Sequence, residues 1–340
     1  MNEAESQRIA AKTRRLTGVQ ILDTGHYVPE EVFTNQDLQR IYGFDPDWIY
    51  NRTGILERRF APPHHATSDL CLRAARQVIE KVGCDPSDID LLIVGTFTPD
   101  MSTPSVACQV QNQLGLTCPA FDVQAACAGF AFALATACQF VATGNSKLAL
   151  VIGGDCNSRI INPGDQKSFP LFGDGAGAVI LAPGSPEQGM VAYQLGADGS
   201  GGDLLSRPAC GSRIPPSIEA LENGLHFLTM DGRAVFKWAV RILTDTSHEV
   251  LGTAGATVSD IRWFIPHQAN IRIIHSASDV MGFPRERVFK NLEKYGNTSA
   301  GSIPIAMNEL VEQGKIERGD LILTSGFGAG LNWGTILWRW

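Results

Sequence analysis

Ser87–Thr96 reads SDIDLLIVGT, and Ser259–Gln268 reads SDIRWFIPHQ. Each is a turn followed by an apolar run of strand length, and they lie 172 residues apart (259 minus 87). A second pair repeats the interval: KLALVIGGD, with a strand expected to open at Leu148, and DLILTSGFG, opening at Leu321, are offset by 173 (321 minus 148). Two matches at nearly one interval mark an internal duplication. Helical periodicity falls between these strands at corresponding places, over Ala125–Val141 and over Ser299–Val311. Runs such as LLIVG, LALVIGG, AVILA, WFIP and LILTSG are apolar on consecutive positions, as strands covered on both faces should be. The expected fold is therefore α/β, with similar halves spanning 17–185 and 186–340 packed as one body.

Composition narrows the function. With 44% hydrophobic residues in 340, the chain can bury a large core, yet no apolar run approaches the ~20 residues that span a bilayer, so membrane insertion is not expected. A net charge of -7 argues against a broad grip on nucleic acid; an anionic ligand has to be caught locally. The opening MNEAESQRIAAKTRRL lacks the apolar stretch of a secretory signal, and a cytoplasmic location is expected. The eight cysteines (Cys71, Cys84, Cys108, Cys118, Cys127, Cys138, Cys156, Cys210) form no CxxC pair and no Cys/His cluster, so neither a metal site nor a disulfide scaffold is expected, and most should be buried thiols.

Three residues stand out chemically. Cys127, in FDVQAACAGFAFAL, follows a strand and small residues at the start of a helix, where the dipole should lower its pKa and make a nucleophile. From this segment alone a buried core cysteine is the competing reading. His267, in WFIPHQAN, sits at the carboxyl end of a strand, where parallel sheets place ligand-handling groups. Adding 172 to 127 gives 299, so the counterpart of the cysteine's helix start lies in YGNTSAGS beside Asn297, whose amide is either an oxyanion donor or a simple cap. The GFGAG loop, Gly326–Gly330, offers backbone amides and lacks the pattern of a dinucleotide fingerprint.

Taken in order, DVQAACAGF, FGDGAGA (Phe172–Ala178), PHQAN, YGNTSAGS and GFGAGLNWG resemble the 3-oxoacyl-acyl-carrier-protein synthase III group of thiolase-fold condensing enzymes, from about Val19 to Trp340. The resemblance implies a five-layered αβαβα thiolase fold, a homodimer, acyl-CoA and malonyl-acyl carrier protein as substrates, and no cofactor or metal. It implies catalytic roles for Cys127, His267 and Asn297, and an oxyanion hole from the amides of Cys127 and Ala329. It further implies CoA binding by Trp48, Arg52 and Asn270, an acyl pocket at Thr103 and Phe327, and carrier-protein docking at Lys237 and Arg272. Thiolases need a second cysteine near the C-terminus, whereas Cys210 is the last here, and elongating enzymes carry histidine where this chain has Asn297.

The chain departs from the group's pattern at several places. Gln166, next to Lys167, stands where an arginine flanks the adenine, and Asp279 and Val280 stand where lysines are common. Thr103 replaces a bulky phenylalanine of acetyl-primed members, which implies a longer, medium-chain primer. An O- or N-acyltransferase, a polyketide- or quinolone-type ketosynthase and a non-catalytic acyl-binding subunit are the alternatives on the same scaffold.

Overall fold

The duplicated segments form parallel strands at equivalent places in two separate sheets. A computed structural model describes residues 12–340; the first eleven residues of the N-terminal stretch read above lie outside the described residues. In chain order the strands are β1 (Arg14–Thr17), β2 (Val19–Tyr27), β3 (Val32–Thr34), β4 (Glu57–Arg59), β5 (Leu91–Gly95), β6 (Ala120–Val123), β7 (Ala149–Asp155) and β8 (Gly175–Pro183). They continue as β9 (Gly189–Ala197), β10 (Leu205–Ser206), β11 (Thr229–Met230), β12 (Trp263–Pro266), β13 (Leu321–Gly328) and β14 (Asn332–Arg339).

One sheet has the order β2-β8-β7-β5-β6 and the other β1-β9-β14-β13-β12. Both β5 to β12 (91 to 263) and β7 to β13 (149 to 321) are offset by 172 residues. The strand expected to open at Leu148 opens at Ala149, which makes the two intervals equal. Where the second sheet would carry a mate for β6, only a parallel bridge from Phe264 to Val288 is present. β1 instead joins the far edge beside β9, so residues 14–17 sit in the second sheet although Val19 already opens the first.

Five layers result. Helices Thr67–Val82 and Val106–Leu114 cover the outer face of the first sheet, with Leu70, Val78 and Val110 packed on Leu92, Val94 and Ile152. Helices Gly232–Ala254 and Ile271–Met281 do the same for the second, through Leu243 and Ile274 against Phe264 and Leu323. Between the sheets lie helices Gly129–Ala142 and Ser302–Glu312. A helix buried over most of its length needs a largely apolar surface, and GFAFALATACQFVA supplies one, with Gln139, Phe140 and Ala142 exposed near its end.

Two glycines let this middle layer sit close. A Cβ on Gly95 would come within 2.6 Å of the Gly129 carbonyl, and one on Gly153 within 2.4 Å of Ala300 O. Both central helices therefore begin hard against β5 and β7.

The cysteines depart from expectation. Cys71, Cys127, Cys138 and Cys156 are buried, but Cys84 and Cys118 are half-buried and Cys108 and Cys210 exposed. The reason is position: Cys108 occupies the outward side of an amphipathic helix and Cys210 a surface turn with φ 71°.

Candidate active site

After β6 the backbone turns at Ala126, with φ 47°, into a short 3-10 turn (Ala126–Ala128) that runs into helix Gly129–Ala142. The same sequence of events recurs 173 residues on (299 minus 126): Ser299 has φ 52°, the 3-10 turn is Ser299–Gly301, and helix Ser302–Glu312 follows. A left-handed backbone costs a non-glycine residue about 1–3 kcal/mol. Its presence at both mirrored positions brings two side chains together, and Ser299 Oγ lies 3.2 Å from Cys127 Sγ.

Burial dominates the electrostatics of this thiol. It pushes the Cys127 pKa up to about 12; the Ser299 hydrogen bond pulls it back, and the nearby Asp155 carboxylate adds to the rise. This corrects the sequence-based expectation of a lowered value. The helix start does face the sulfur, but its pull is smaller than the cost of charging sulfur in a site that is 7% exposed.

His267 follows β12, and its amide donates to Ser325 O at 2.8 Å. Burial brings its pKa down to about 3, so the imidazole is neutral at physiological pH. Cys127 and His267 therefore rest as thiol and neutral imidazole. The proton positions follow from the partners. Ser302 Oγ lies 2.6 Å from Nδ1 and accepts from the Gln268 amide at 3.4 Å; when Ser302 donates its own proton to Nδ1, the imidazole proton is on Nε2. The ring packs edge-on to Phe327, with centroids 5.2 Å apart.

Asn297 is held from both sides. Its amide donates to Leu171 O at 2.8 Å, its carbonyl accepts from Gly173 N at 3.0 Å, and its Oδ1 accepts from Ser299 N at 2.8 Å. With Oδ1 engaged, Nδ2 is the end available to a ligand. Behind this clamp, fully buried Arg58 bonds Phe33 O, Asn35 Oδ1 and Pro170 O.

These groups open into one cavity of about 240 Å³, lined by Cys127, His267, Asn297, Phe327, Gly328 and Ala329 at its inner end. A Cβ on Gly328 would lie 2.6 Å from Cys127 N, so glycine there is what lets the 326–330 loop approach the Cys127 amide. Apolar side chains Phe97, Leu171, Phe172, Leu205, Leu228 and Met230 wall the middle. Trp48 and Arg52, one helical turn apart on Pro46–Thr53, line the mouth with Lys167 and Asn270. Asn270 Nδ2 donates to Arg52 O at 3.1 Å, tying two helices together there.

Other expected residues fall outside the cavity lining. Gln166 does not line it, while its neighbour Lys167 does. Lys237 and Arg272 are exposed on helices whose Phe236 and Ile273 do line it, and the Arg272 guanidinium lies over the Phe236 ring at 5.6 Å. Asp279 is paired with Arg285 at 2.6 Å, and Val280 is exposed. Thr103 is exposed and lies away from the cavity of the single chain. The sequence reading passed over Ser299, Ser302 and Asp155. Ser299 had a signal, since the duplication interval added to Cys127 lands on it. The lining residues from 205–230 had none.

The chain is similar to known proteins over nearly its whole length. Residues 251–340 match the model of the 3-oxoacyl-[acyl-carrier-protein] synthase III C-terminal family, and 121–199 that of 3-oxoacyl-[acyl-carrier-protein] synthase III. The beta-ketoacyl-[acyl-carrier-protein] synthase III of Rhodopirellula baltica is 48% identical over 343 residues, covering 96% of this chain and 99% of its own. The crystal structure of 3-oxoacyl-[acyl-carrier-protein] synthase III from Aquifex aeolicus superposes with a TM-score of 0.87 at 40% identity, covering 95% of this chain and all of that one. A priming beta-ketosynthase of a polyketide biosynthetic pathway gives 0.86 at 33% identity, covering 97% and 99%.

Proposed function

The chain belongs to the 3-oxoacyl-[acyl-carrier-protein] synthase III family of thiolase-fold condensing acyltransferases, and from that premise we propose how its residues divide the reaction. Acyl-CoA transfers its acyl group to Cys127 and CoA leaves. Malonyl-acyl carrier protein then enters, loses carbon dioxide, and the resulting carbanion attacks the acyl-cysteine to give 3-oxoacyl-carrier protein. Both substrates are thioesters that bring their own activation, so the steps call on no cofactor.

Each role rests on a feature already given. His267 Nε2–H and Asn297 Nδ2 are the donors for the malonyl thioester oxygen as it becomes an enolate; neutral imidazole suits that task, because it keeps a proton to share. The amides of Cys127 and Ala329 serve the acyl oxyanion, where one lost donor costs about 2.7–4 kcal/mol. Trp48 and Arg52 hold the CoA nucleotide, with Asn270 fixing their helix and Lys167 taking the place of the missing arginine. Lys237 and Arg272, beside the mouth, receive the acidic carrier protein.

The division at 17–185 and 186–340, the homodimer, the cytoplasmic setting and a medium-chain primer belong to the same reading. Two sheets of equivalent strand order support the division, and the free edge of β6 in the first sheet supports the dimer. The primer length rests on the resemblance at Thr103, which lies outside the cavity of the single chain, while the apolar lining between mouth and sulfur suits the pantetheine arm of CoA. Among the described residues no helix is long and apolar enough to cross a membrane.

One observation carries the proposal: the thiol, imidazole and carboxamide, from three distant segments, converge at the inner end of a cavity whose mouth bears Trp48 and Arg52. The test is to incubate the protein with a panel of acyl-CoAs and read the mass added, then to follow labelled carbon dioxide from malonyl-carrier protein. Acylation of Cys127 followed by carbon dioxide release is expected. Acyl transfer to an alcohol or amine without carbon dioxide would establish an O- or N-acyltransferase instead.

A further inference from the structure

The Ser299 hydroxyl touches the sulfur of Cys127, and none of the steps above uses it. Ser299 is fully buried, stands at φ 52°, and makes two polar contacts with different partners. Its backbone amide donates to Asn297 Oδ1 at 2.8 Å, and its hydroxyl donates to Cys127 Sγ at 3.2 Å. The turn is fixed from behind, where Ala300 N donates to Asp155 Oδ2 at 3.1 Å. Asp155 Oδ1 is in turn held by Thr96 Oγ1, Phe97 N, Thr98 N and Thr98 Oγ1 at 2.8–3.2 Å. A backbone so anchored aims the hydroxyl at one atom.

A hydrogen bond to a charged acceptor is worth more than one to a neutral acceptor, so a sulfur anion gains more from this donor than a thiol does. We propose that Ser299 is a further catalytic residue, whose hydroxyl donates to Cys127 Sγ each time the sulfur is an anion: as nucleophile toward acyl-CoA, and as leaving group in the condensation. The inference rests on the acyl-loading role proposed for Cys127. In loading, the thiol gives its proton to water, Sγ bonds the acyl carbon, the thioester bond of acyl-CoA breaks, and the CoA thiolate takes a proton from water. In condensation, carbon dioxide leaves the malonyl group and the freed electron pair forms the new carbon–carbon bond. The acyl–Sγ bond breaks with its electrons kept by sulfur, and the thiolate then takes a proton from water. Ser299 keeps its own proton throughout, and the cycle consumes one proton.

The surroundings make such a donor count. Burial and the Asp155 carboxylate both oppose a negative sulfur, and His267 is neutral and offers no positive charge against it. The Ser299 hydroxyl and the backbone amide of Cys127 itself pull the other way.

The test uses the full chain with Ser299→Ala and Ser299→Gly. Both remove the hydroxyl and keep the backbone amide that holds Asn297. Alanine already stands at φ 47° in the mirrored turn, at Ala126, and glycine relieves the left-handed backbone altogether. Three rates are read for each protein: alkylation of Cys127 by iodoacetamide, located by peptide mass; single-turnover acylation by octanoyl-CoA, by intact mass; and carbon dioxide release from malonyl-carrier protein without acyl-CoA. In both variants acylation should fall by about tenfold, the effect of one donor lost from a charged sulfur. Alkylation should fall by about three- to tenfold, since a more basic thiolate is also a better nucleophile. Carbon dioxide release, which does not involve the sulfur, should stay within about twofold of wild type. Alkylation and acylation at wild-type rates in either variant overturn the proposal. So does an equal fall in carbon dioxide release, which would mean that the turn and Asn297 have moved. A wild type that is alkylated at Cys127 yet takes up no acyl mass overturns the acyl-loading reading itself, which is a different failure.

Discussion

Ser302 Oγ stands 2.6 Å from His267 Nδ1, so that a proton donated by this hydroxyl holds the imidazole's own proton on the opposite edge, at Nε2. In Ser302→Ala the ring loses the donor that fixes its tautomer, and the fraction with Nε2–H falls. Decarboxylation of malonyl-carrier protein should drop by about tenfold, the worth of one directed hydrogen bond, while acylation of Cys127 changes little. Equal loss in both half-reactions would count against the tautomer argument.

Burial of His267 carries a signature in stability. Its pKa is about 3 in the fold against 6.5 in the unfolded chain. The depressed value means that below pH 6.5 the unfolded state binds a proton that the native state refuses, so stability is lost as pH falls from there toward 3. Between about pH 7 and about pH 5 the loss from this residue is about 2 kcal/mol. Urea unfolding of wild type and His267→Gln at both pH values measures it: the variant should lose that much less on acidification.

Trp48, Arg52 and Lys167 line the same cavity as the sulfur. Trp48→Ala and Lys167→Ala should each raise the KM for acyl-CoA by about three- to tenfold with kcat nearly unchanged, because they act on the nucleotide and not on the reacting carbon. A truncated acyl-pantetheine thioester without the nucleotide should not distinguish the variants from wild type.

Primer choice tests the reading of Thr103. Octanoyl-CoA should load Cys127 faster than acetyl-CoA in a direct competition read by mass. A strong acetyl preference would refute the medium-chain reading.

Gly153 tests the seating of the second turn. Its missing Cβ would fall 2.4 Å from Ala300 O, so Gly153→Ala must displace the backbone that carries Ser299. Such overpacking costs about 1–3 kcal/mol, and thermal unfolding should show it as a lowered Tm. The same change at Gly144, where nothing lies within 4 Å, meets no such obstacle but has φ 74° to contend with; its cost is that of the backbone alone.

Much of this architecture is legible in the chain because a duplication exposes it. The repeated SDI turns and apolar runs locate β5, β7, β12 and β13 to within a residue, and the interval joins Cys127 to the segment holding Asn297. The same arithmetic points at Ser299, yet a serine in a turn looks like a cap until the sulfur is seen beside it. The thiol's pKa misleads in sequence, since a helix start is visible there and desolvation is not: the walls that exclude water come from residues such as Phe97, Leu228 and Phe327, scattered over the chain. Lys167 and the 205–230 wall are long-range placements with no periodic mark.

Helix Ser302–Glu312 belongs to the second copy, yet it rests on the first: a Cβ on Gly177 of β8 would lie 2.7 Å from Pro304 and Ile305. Neither copy owns a complete interior. A chain severed between the halves would leave two pieces with bare apolar faces that can regain order only by finding each other, so heat should melt the molecule in one cooperative transition, a single thermodynamic unit written twice.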